Sequence, residues 1–364
     1  MRTRTFLALS FALSATVVAC SQGAPTGSAP AQTEDVATAA NREGRVLIYS
    51  TTDSASAQPI LADFKNAYPS INVEYNDLNS TELYNRFTSE AAAGAETADF
   101  LWSSAMDLQV KLAADGQAMT YASPEAASLP AGSVWQNQAF GTTLEPFAIA
   151  YNRRAVPADA VPQTHADFTR LLRSQADLFR DKVTTYDPEQ SGTGYLAAST
   201  DAAQDPAFWD LATALGSVGV KLNTSTGTMV ERISAGEYVI GYDIIGSYVL
   251  ARMKTDSNIG LVTPKDYTVA LSRIALISKD ARHPNAAKVF LDYLLSKRGQ
   301  EVMAQQSLLH AIRTDVQGEA TAAALSQELG SALKPIKVGP ELQQGLDPAK
   351  RMEFFTRWRQ SLGR

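Results

Sequence analysis

The sequence predicts an α/β protein made of two domains, each a sheet covered by helices. Three observations predict it. Short apolar strands alternate with amphipathic helices from residue 45 onward, the pattern of βαβ units with a sheet covered on both faces. Residues 41–364 are enough chain for two domains of ordinary size. Residues 140–152 form a long extended apolar run without helical periodicity, suited to a strand that leaves one domain and enters another.

The N-terminus reads as a targeting segment. Residues 1–5 are short and positive, and residues 6–18 are apolar but too few to span a bilayer, which is the build of a signal peptide over 1–19. The run ends Val17-Val18-Ala19-Cys20, and Cys20 is the chain's single cysteine. This resembles the lipobox of bacterial lipoproteins, which implies lipid on Cys20. One cysteine excludes an internal disulfide framework. Residues 20–40 are rich in Ser, Gly, Pro, Ala, Gln and Thr and read as a flexible tether. The formal charge is −6, and loss of Arg2 and Arg4 with the leader makes it −8. An acidic chain without a basic stripe is not a nucleic-acid binder. Hydrophobic residues make up 45% of the chain, enough for real cores, and no run after Val18 is long enough to cross a membrane.

In chain order, residues 45–50 are a strand, followed by the turn Thr51-Thr52-Asp53-Ser54 and a helix carrying Ile60, Leu61, Phe64 and Tyr68. Residues 71–75 alternate as a second strand, 81–93 form a helix, and 99–102 form a third strand. Ser103 and Ser104 open the next helix. In such sheets, ligands sit beyond the carboxyl ends of the strands, so Ser50, Thr51, Thr52, Ser103 and Ser104 are candidate contacts. The strand 182–186 leads into Ser191-Gly192-Thr193-Gly194, a small-residue turn before an alanine-rich helix. There, free backbone N–H groups and the helix dipole together would receive an anion. It is not a Walker loop, since no Gly-Lys-Ser/Thr follows. Thr228 to Glu231 has the form of a capping box, with its helix ending at Gly236. A strand over 238–242, a turn over 243–247 and a helix over 248–253 follow. The strand over 269–277 crosses back, and 285–296 is strongly helical. No internal repeat is evident.

Together, "VLIYSTTD", "ADFLWSSAMDLQ", "EPFAIAYN", "SGTGY", "ISAGEYVIGYD" and "HPNAAKVFLDYLLS" resemble the substrate-binding components of ATP-driven (ABC) importers. More narrowly they are similar to the ferric-iron and sugar-phosphate binding group of two-lobed periplasmic proteins, over residues 45–305. The resemblance implies two mixed sheets flanked by helices and joined by a two-strand hinge. Lobe 1 would be 41–145 plus 270–364 and lobe 2 would be 146–269, with a solute held in the cleft. It implies no catalysis and no cofactor. The implied partners are a small-molecule anion and an ABC permease in the inner membrane. The chain is expected to be monomeric and moored to the outer face of the membrane through Cys20.

The resemblance also bears on the ligand. Ferric-iron members use a pair of adjacent tyrosines in the turn after the strand that here is 238–242, whereas this chain has Asp243-Ile-Ile-Gly-Ser-Tyr248. The iron alternative would rest on Tyr242, Tyr248 and Glu145. The three histidines, His165, His283 and His310, are scattered and read as surface or helix-flanking residues. What remains are hydroxyls and helix starts, namely the residues above with Thr142 and Thr143. Glu145 and Asp243 would accept from ligand hydroxyls, Tyr242 and Tyr248 would flank them, and Arg273 would add a cation. That set suits a phosphorylated or carboxylated organic compound. Two other classes compete. A serine acyl enzyme would rest on Ser331-Ala-Leu-Lys334, which matches Ser-x-x-Lys but lacks its companion motifs. A ligand sensor feeding a histidine kinase would use the same cleft.

Overall fold

A computed structural model of the chain describes residues 35–364. The leader, Cys20 and most of the tether lie outside the described residues. The helices, in order, are α1 (Val36–Glu43), α2 (Ser54–Ala67), α3 (Ser80–Ala92), α4 (Met106–Ala114), α5 (His165–Ser174), α6 (Ala176–Phe179) and α7 (Gly192–Gln204). They continue as α8 (Phe208–Ser217), α9 (Thr226–Ala235), α10 (Gly246–Met253), α11 (Pro284–Leu295), α12 (Lys297–Val302), α13 (Ala322–Leu329) and α14 (Pro348–Ser361). The first six strands are β1 (Arg45–Ser50), β2 (Asn72–Asp77), β3 (Phe100–Ser103), β4 (Val134–Trp135), β5 (Ala139–Gly141) and β6 (Glu145–Asn152). The rest are β7 (Val183–Tyr186), β8 (Lys221–Asn223), β9 (Ile240–Ile245), β10 (Ile259–Val262), β11 (Thr268–Leu271), β12 (Ile274–Ile277) and β13 (Leu333–Pro335).

Two mixed sheets result, as expected. One runs β2-β1-β3-β12-β5-β4, and the other runs β13-β11-β6-β9-β7-β8 with β10 added beside β6. Strands β1, β2 and β3 are parallel because a helix returns the chain between each pair, so their carboxyl ends share one edge. Strands β7, β8 and β9 are parallel for the same reason and present a second such edge. The inner strands β1 and β3 of the first sheet read "VLIY" and "FLW" and are buried on both faces, as helix-covered sheets require. Phe290 packs edge to face on both Phe64 and Phe100 on one side of it, with ring centroids 5.0 Å apart in each contact.

Two short passages join the sheets, from β5 to β6 through residues 142–144 and from β11 to β12 through Ser272 and Arg273. The two passages lie side by side, with the Thr142 N–H donating to the Arg273 carbonyl at 2.9 Å.

Three expectations about local structure are corrected. Residues 36–40, read as the end of the tether, belong to α1. Ala40 is buried against the first lobe's core, and the Glu43 carboxylate accepts from the Ala286 N–H at 2.7 Å at the start of α11. Alanine-rich composition suits a linker and a helix equally, and only the docking partner decides. The capping box at Thr228 is not used. The helix starts earlier, and the Ser225 hydroxyl accepts from the Thr228 N–H at 3.3 Å. The turn expected at Asp243 is strand. Residues 243–245 continue β9 past a register shift, with Asp243 at φ +57.

The end of the chain also departs from its expected place in lobe 1. Strand β13 pairs with β11 of the second sheet, and α14 lies on α8, where Trp358 stacks on Phe208 at 6.2 Å between centroids. Between them, the 3-10 stretch Pro340–Leu346 packs on α4 of the first lobe, and its Gly345 carbonyl accepts from the Tyr195 hydroxyl of α7. The C-terminal segment is thus a strap that touches both lobes.

Beneath the strap, Asp107 of α4 is 3% exposed and accepts from the Leu108 N–H at 2.9 Å. Burial pushes its carboxyl up to about 6, against the pull of Arg351 in α14. Asp107 therefore keeps a proton in the folded chain that it loses in the unfolded one, so its contribution to stability falls as pH rises from about 4 to 6 and is level above. Asp107→Asn is expected to remove that slope and to stabilise the protein at pH 7.5 by on the order of 2 kcal/mol. Urea unfolding of both proteins at pH 4.5 and 7.5 measures this, and parallel pH curves would refute it.

Candidate functional site

The carboxyl ends of the two sheets face each other across a closed cleft. The cavity left between them measures about 130 Å³. Its first-lobe wall is Thr51, Asp53, Asp77, Leu78, Asn79, Ser80, Glu82 and Ser104. Its second-lobe wall is Tyr186, Thr193, Thr224, Ser225, Thr226, Ile245 and Tyr248. A larger hollow of about 470 Å³ lies between α5 and α8. All its lining residues belong to the second lobe, so hinge closure does not enclose a ligand there.

Helix starts surround the cavity because strand-to-helix turns do. Asn79 caps α3 by accepting from the Glu82 N–H at 2.9 Å, and Ser191 caps α7 by accepting from the Gly194 N–H at 3.1 Å. Asp77 accepts from the Ser54 N–H at 2.8 Å and so caps α2 from the neighbouring strand.

The lobes touch directly. The Thr51 and Ser104 hydroxyls are 3.0 Å apart, and the Ser104 and Thr193 hydroxyls 2.8 Å, a chain of three that crosses the cleft. The first two N–H groups of α7 are also used across it. Gly192 donates to the Thr81 hydroxyl and Thr193 to the Ser80 hydroxyl, both at 3.1 Å. Gly192 has no room for a side chain, since a Cβ there would lie 2.7 Å from Leu108 Cδ1 and 3.2 Å from Ala105 Cβ of the other lobe.

Of the residues singled out in the sequence, Thr51, Ser104, Thr193 and Tyr248 line the cavity. The others take different places. Ser50 and Ser103 turn their hydroxyls back to the Thr52 and Ala105 N–H groups, at 3.0 and 3.2 Å. Ser191 caps α7, and the Gly192 and Gly194 N–H groups are already bonded, so the turn is an interlobe contact rather than an open anion cradle.

Thr142, Thr143, Glu145 and Arg273 form the hinge rather than the cavity wall. The Thr142 hydroxyl accepts from the Trp102 indole at 2.9 Å and donates to the Arg273 carbonyl at 2.8 Å. The Thr143 hydroxyl accepts from the Arg273 N–H and donates to Glu145, both at 2.9 Å. Arg273 Nε donates to Glu145 Oε1 at 2.7 Å with both side chains 0% exposed, and one terminal nitrogen reaches the Thr52 hydroxyl at 2.9 Å. Burial works against a charged Glu145, but the Arg273 guanidinium overrides it and holds the carboxyl below its ordinary range. Arg273 is neutralised within the protein and adds no free cation to the cleft.

Tyr242 and Asp243 face the core of the second lobe. The Tyr242 hydroxyl donates to Asp201, and its ring lies 5.7 Å from that of Phe168. Burial first, and Asp201 second, push the Asp243 carboxyl far above its usual range. Tyr242, Tyr248 and Glu145 therefore do not converge, and among the described residues no group of three His, Cys, Asp or Glu side chains is placed to hold a metal. No histidine lines the cavity. His165 and His283 pair with Asp266 and Asp99 at 3.0 and 2.9 Å. His310, read as a surface or helix-flanking residue, is buried and meets the Ser247 hydroxyl at 2.9 Å.

The sequence reading missed Asp53, Ser80, Thr81 and Tyr186. Ser80 and Thr81 read as an ordinary helix start, and only the opposing α7 gives their hydroxyls a second partner. Ser331-Ala-Leu-Lys334 does not line the cavity, and Lys334 Nζ donates to the Ser331 carbonyl at 2.9 Å rather than to its hydroxyl.

The comparisons fit this geometry. A substrate-binding protein of an ABC transporter from Agrobacterium tumefaciens is 38% identical, with a TM-score of 0.84 over 87% of this chain and 94% of that one. AfuA from Actinobacillus pleuropneumoniae, solved with fructose-6-phosphate, is 20% identical, with a TM-score of 0.71 over 88% of this chain and 99% of that one. Iron-bound HitA from Pseudomonas aeruginosa is 20% identical, with a TM-score of 0.67 over 87% of this chain and 99% of that one. The last two establish likeness of fold alone. An uncharacterised Haemophilus influenzae protein is 32% identical over 145 residues, 38% of this chain, and the match spans less than half, 41%, of that relative. The model of the family described as bacterial extracellular solute-binding protein matches residues 59–327. With that match over most of its length, the chain belongs to the bacterial extracellular solute-binding protein family.

Proposed function

We propose that this chain is the substrate-binding component of an ABC importer and that it captures a small, hydroxyl-bearing organic anion between its lobes. The observation that carries the reading is the cavity wall, which is mostly hydroxyls and the first turns of α3, α7, α9 and α10 from both lobes. Four helix starts contribute roughly +0.5 charge each. They are opposed by Asp53, Asp77 and Glu82, of which Asp53 has its carboxyl pushed up, by burial first and by Asp77 second. The helix starts suit one anionic group, and the carboxylates suit hydroxyls beside it.

Size narrows the class. A cavity of about 150 Å³ holds benzene, so about 130 Å³ seats roughly six non-hydrogen atoms. A hexose phosphate, as in AfuA, would require the lobes to stand further apart. The Agrobacterium relative supports delivery to a permease, and lipid on Cys20 would keep the protein at the membrane face. Ferric iron is the poorer fit, because it calls for several anionic oxygen donors and of the three suggested ligands only Tyr248 reaches the cavity. Native mass spectrometry of protein purified without refolding is expected to show one small organic anion. A stoichiometric iron adduct, or a cationic solute, would overturn the reading.

A further inference from the structure

One carboxylate crosses the cleft. Asp53, in the turn after β1, accepts from the Tyr248 hydroxyl at 3.2 Å through Oδ1, and its own N–H donates to that hydroxyl at 3.2 Å. Tyr248 lies in the first turn of α10. The other carboxylate oxygen abuts the first turn of α9, since a Cβ on Gly227 would lie 2.2 Å from Asp53 Oδ2. A negative group from the first lobe thus stands at the starts of two second-lobe helices, where their dipoles would best stabilise the charge of a bound anion. Arg273, its nearest cation, is committed to Glu145, while Asp77 and Glu82 line the same cavity. The position is a costly one for a charge, because burial first and Asp77 second hold the Asp53 carboxyl above its usual range.

We propose that Asp53 is a specificity-determining residue of the cleft. It fills the second lobe's anion seat on closure, refuses bare oxyanions, and selects solutes that present a hydroxyl or ammonium donor to its carboxylate. The inference rests on the reading of the cleft as the solute site. A solute with such a donor bridges Asp53 and places its own anionic group elsewhere along the hydroxyl wall. Inorganic phosphate has no carbon frame to separate the two, so its charge meets the carboxylate directly, in a partly desolvated cavity where like charges repel strongly.

The test is calorimetric titration of the full mature chain with inorganic phosphate and with lactate, a hydroxyl-bearing anion of the size the cavity seats, comparing wild type, Asp53→Asn and Asp77→Asn. Asparagine keeps the shape and removes the charge at each position. Phosphate affinity is expected to rise by at least about tenfold in Asp53→Asn, with a smaller rise in Asp77→Asn, whose carboxylate caps α2 away from the seat. Lactate is expected to gain less than phosphate in Asp53→Asn. Equal phosphate affinity in wild type and Asp53→Asn, including none in either, overturns the inference. So does an equal gain in both variants, which would reflect net charge alone. An iron or cationic adduct in the native mass spectrum overturns the organic-anion reading independently, and the two failures are distinguishable. Circular dichroism melting confirms that each variant is folded.

Discussion

Gly192→Val is expected to hold the lobes apart and to weaken solute binding about a hundredfold while leaving the fold intact. A side chain there presses on Leu108 and Ala105 of the opposite lobe, whose Cδ1 and Cβ lie 2.7 and 3.2 Å from where its first carbon would be. The interlobe bonds beside it, Gly192 N–H to Thr81, Thr193 N–H to Ser80 and Thr193 to Ser104, would all be lost. Three hydrogen bonds at about 1 kcal/mol each amount to about 3 kcal/mol, or about two powers of ten in affinity. Gly192 is the first residue of α7, and Val suits that position no worse, so the melting temperature should hardly move. Small-angle scattering should show an expanded particle that the solute no longer compacts. Wild-type scattering with wild-type retention of the solute would sink the assignment of this contact to closure.

Arg273→Met should be the most damaging single change to stability. It leaves the Glu145 carboxylate fully buried without its partner, a situation that typically costs about 3–5 kcal/mol. It also removes the hydrogen bond that ties the hinge to Thr52. Because the loss is mostly the penalty of an orphaned charge, adding Glu145→Leu should restore much of it. Urea unfolding of the single and double variants decides. A single variant within 1 kcal/mol of wild type would show that the pair does not hold the hinge.

Much of the architecture was legible in residues 45–305. The parallel strands announced themselves as short apolar runs ending in serine and threonine, and the crossing at 140–152 as an extended run without period. Edges of the cavity followed, because turns after parallel strands converge by geometry; Thr51, Ser104 and Thr193 were found that way. The errors share one cause. A sequence shows what a side chain can bond, and the fold decides which partner it meets. Glu145 and Arg273, on separate passages far apart in the chain, meet each other and are spent. Tyr242 and Asp243 both point into the second lobe because β9 has a register shift there, with Asp243 at φ +57, where a turn was expected. Asp53 read as part of a turn, and its neighbours Gly227 and Tyr248 lie on the other lobe. Residues 36–40 looked like linker because alanine helices need a docking surface to be recognised, and α11 supplies it.

The placing of the two chain ends has a practical consequence. Helix α1 is fastened to α11 of the first lobe and α14 to α8 of the second, so the described chain ends ride on opposite arms of the hinge. Dyes at the exposed positions Thr38 and Gln360 would therefore form a ruler across the motion. Cys20 is the only native thiol, so cysteines introduced at those two positions in a chain lacking it would be labelled without competition. Opening and closing become a distance that can be followed in solution before the natural solute is known.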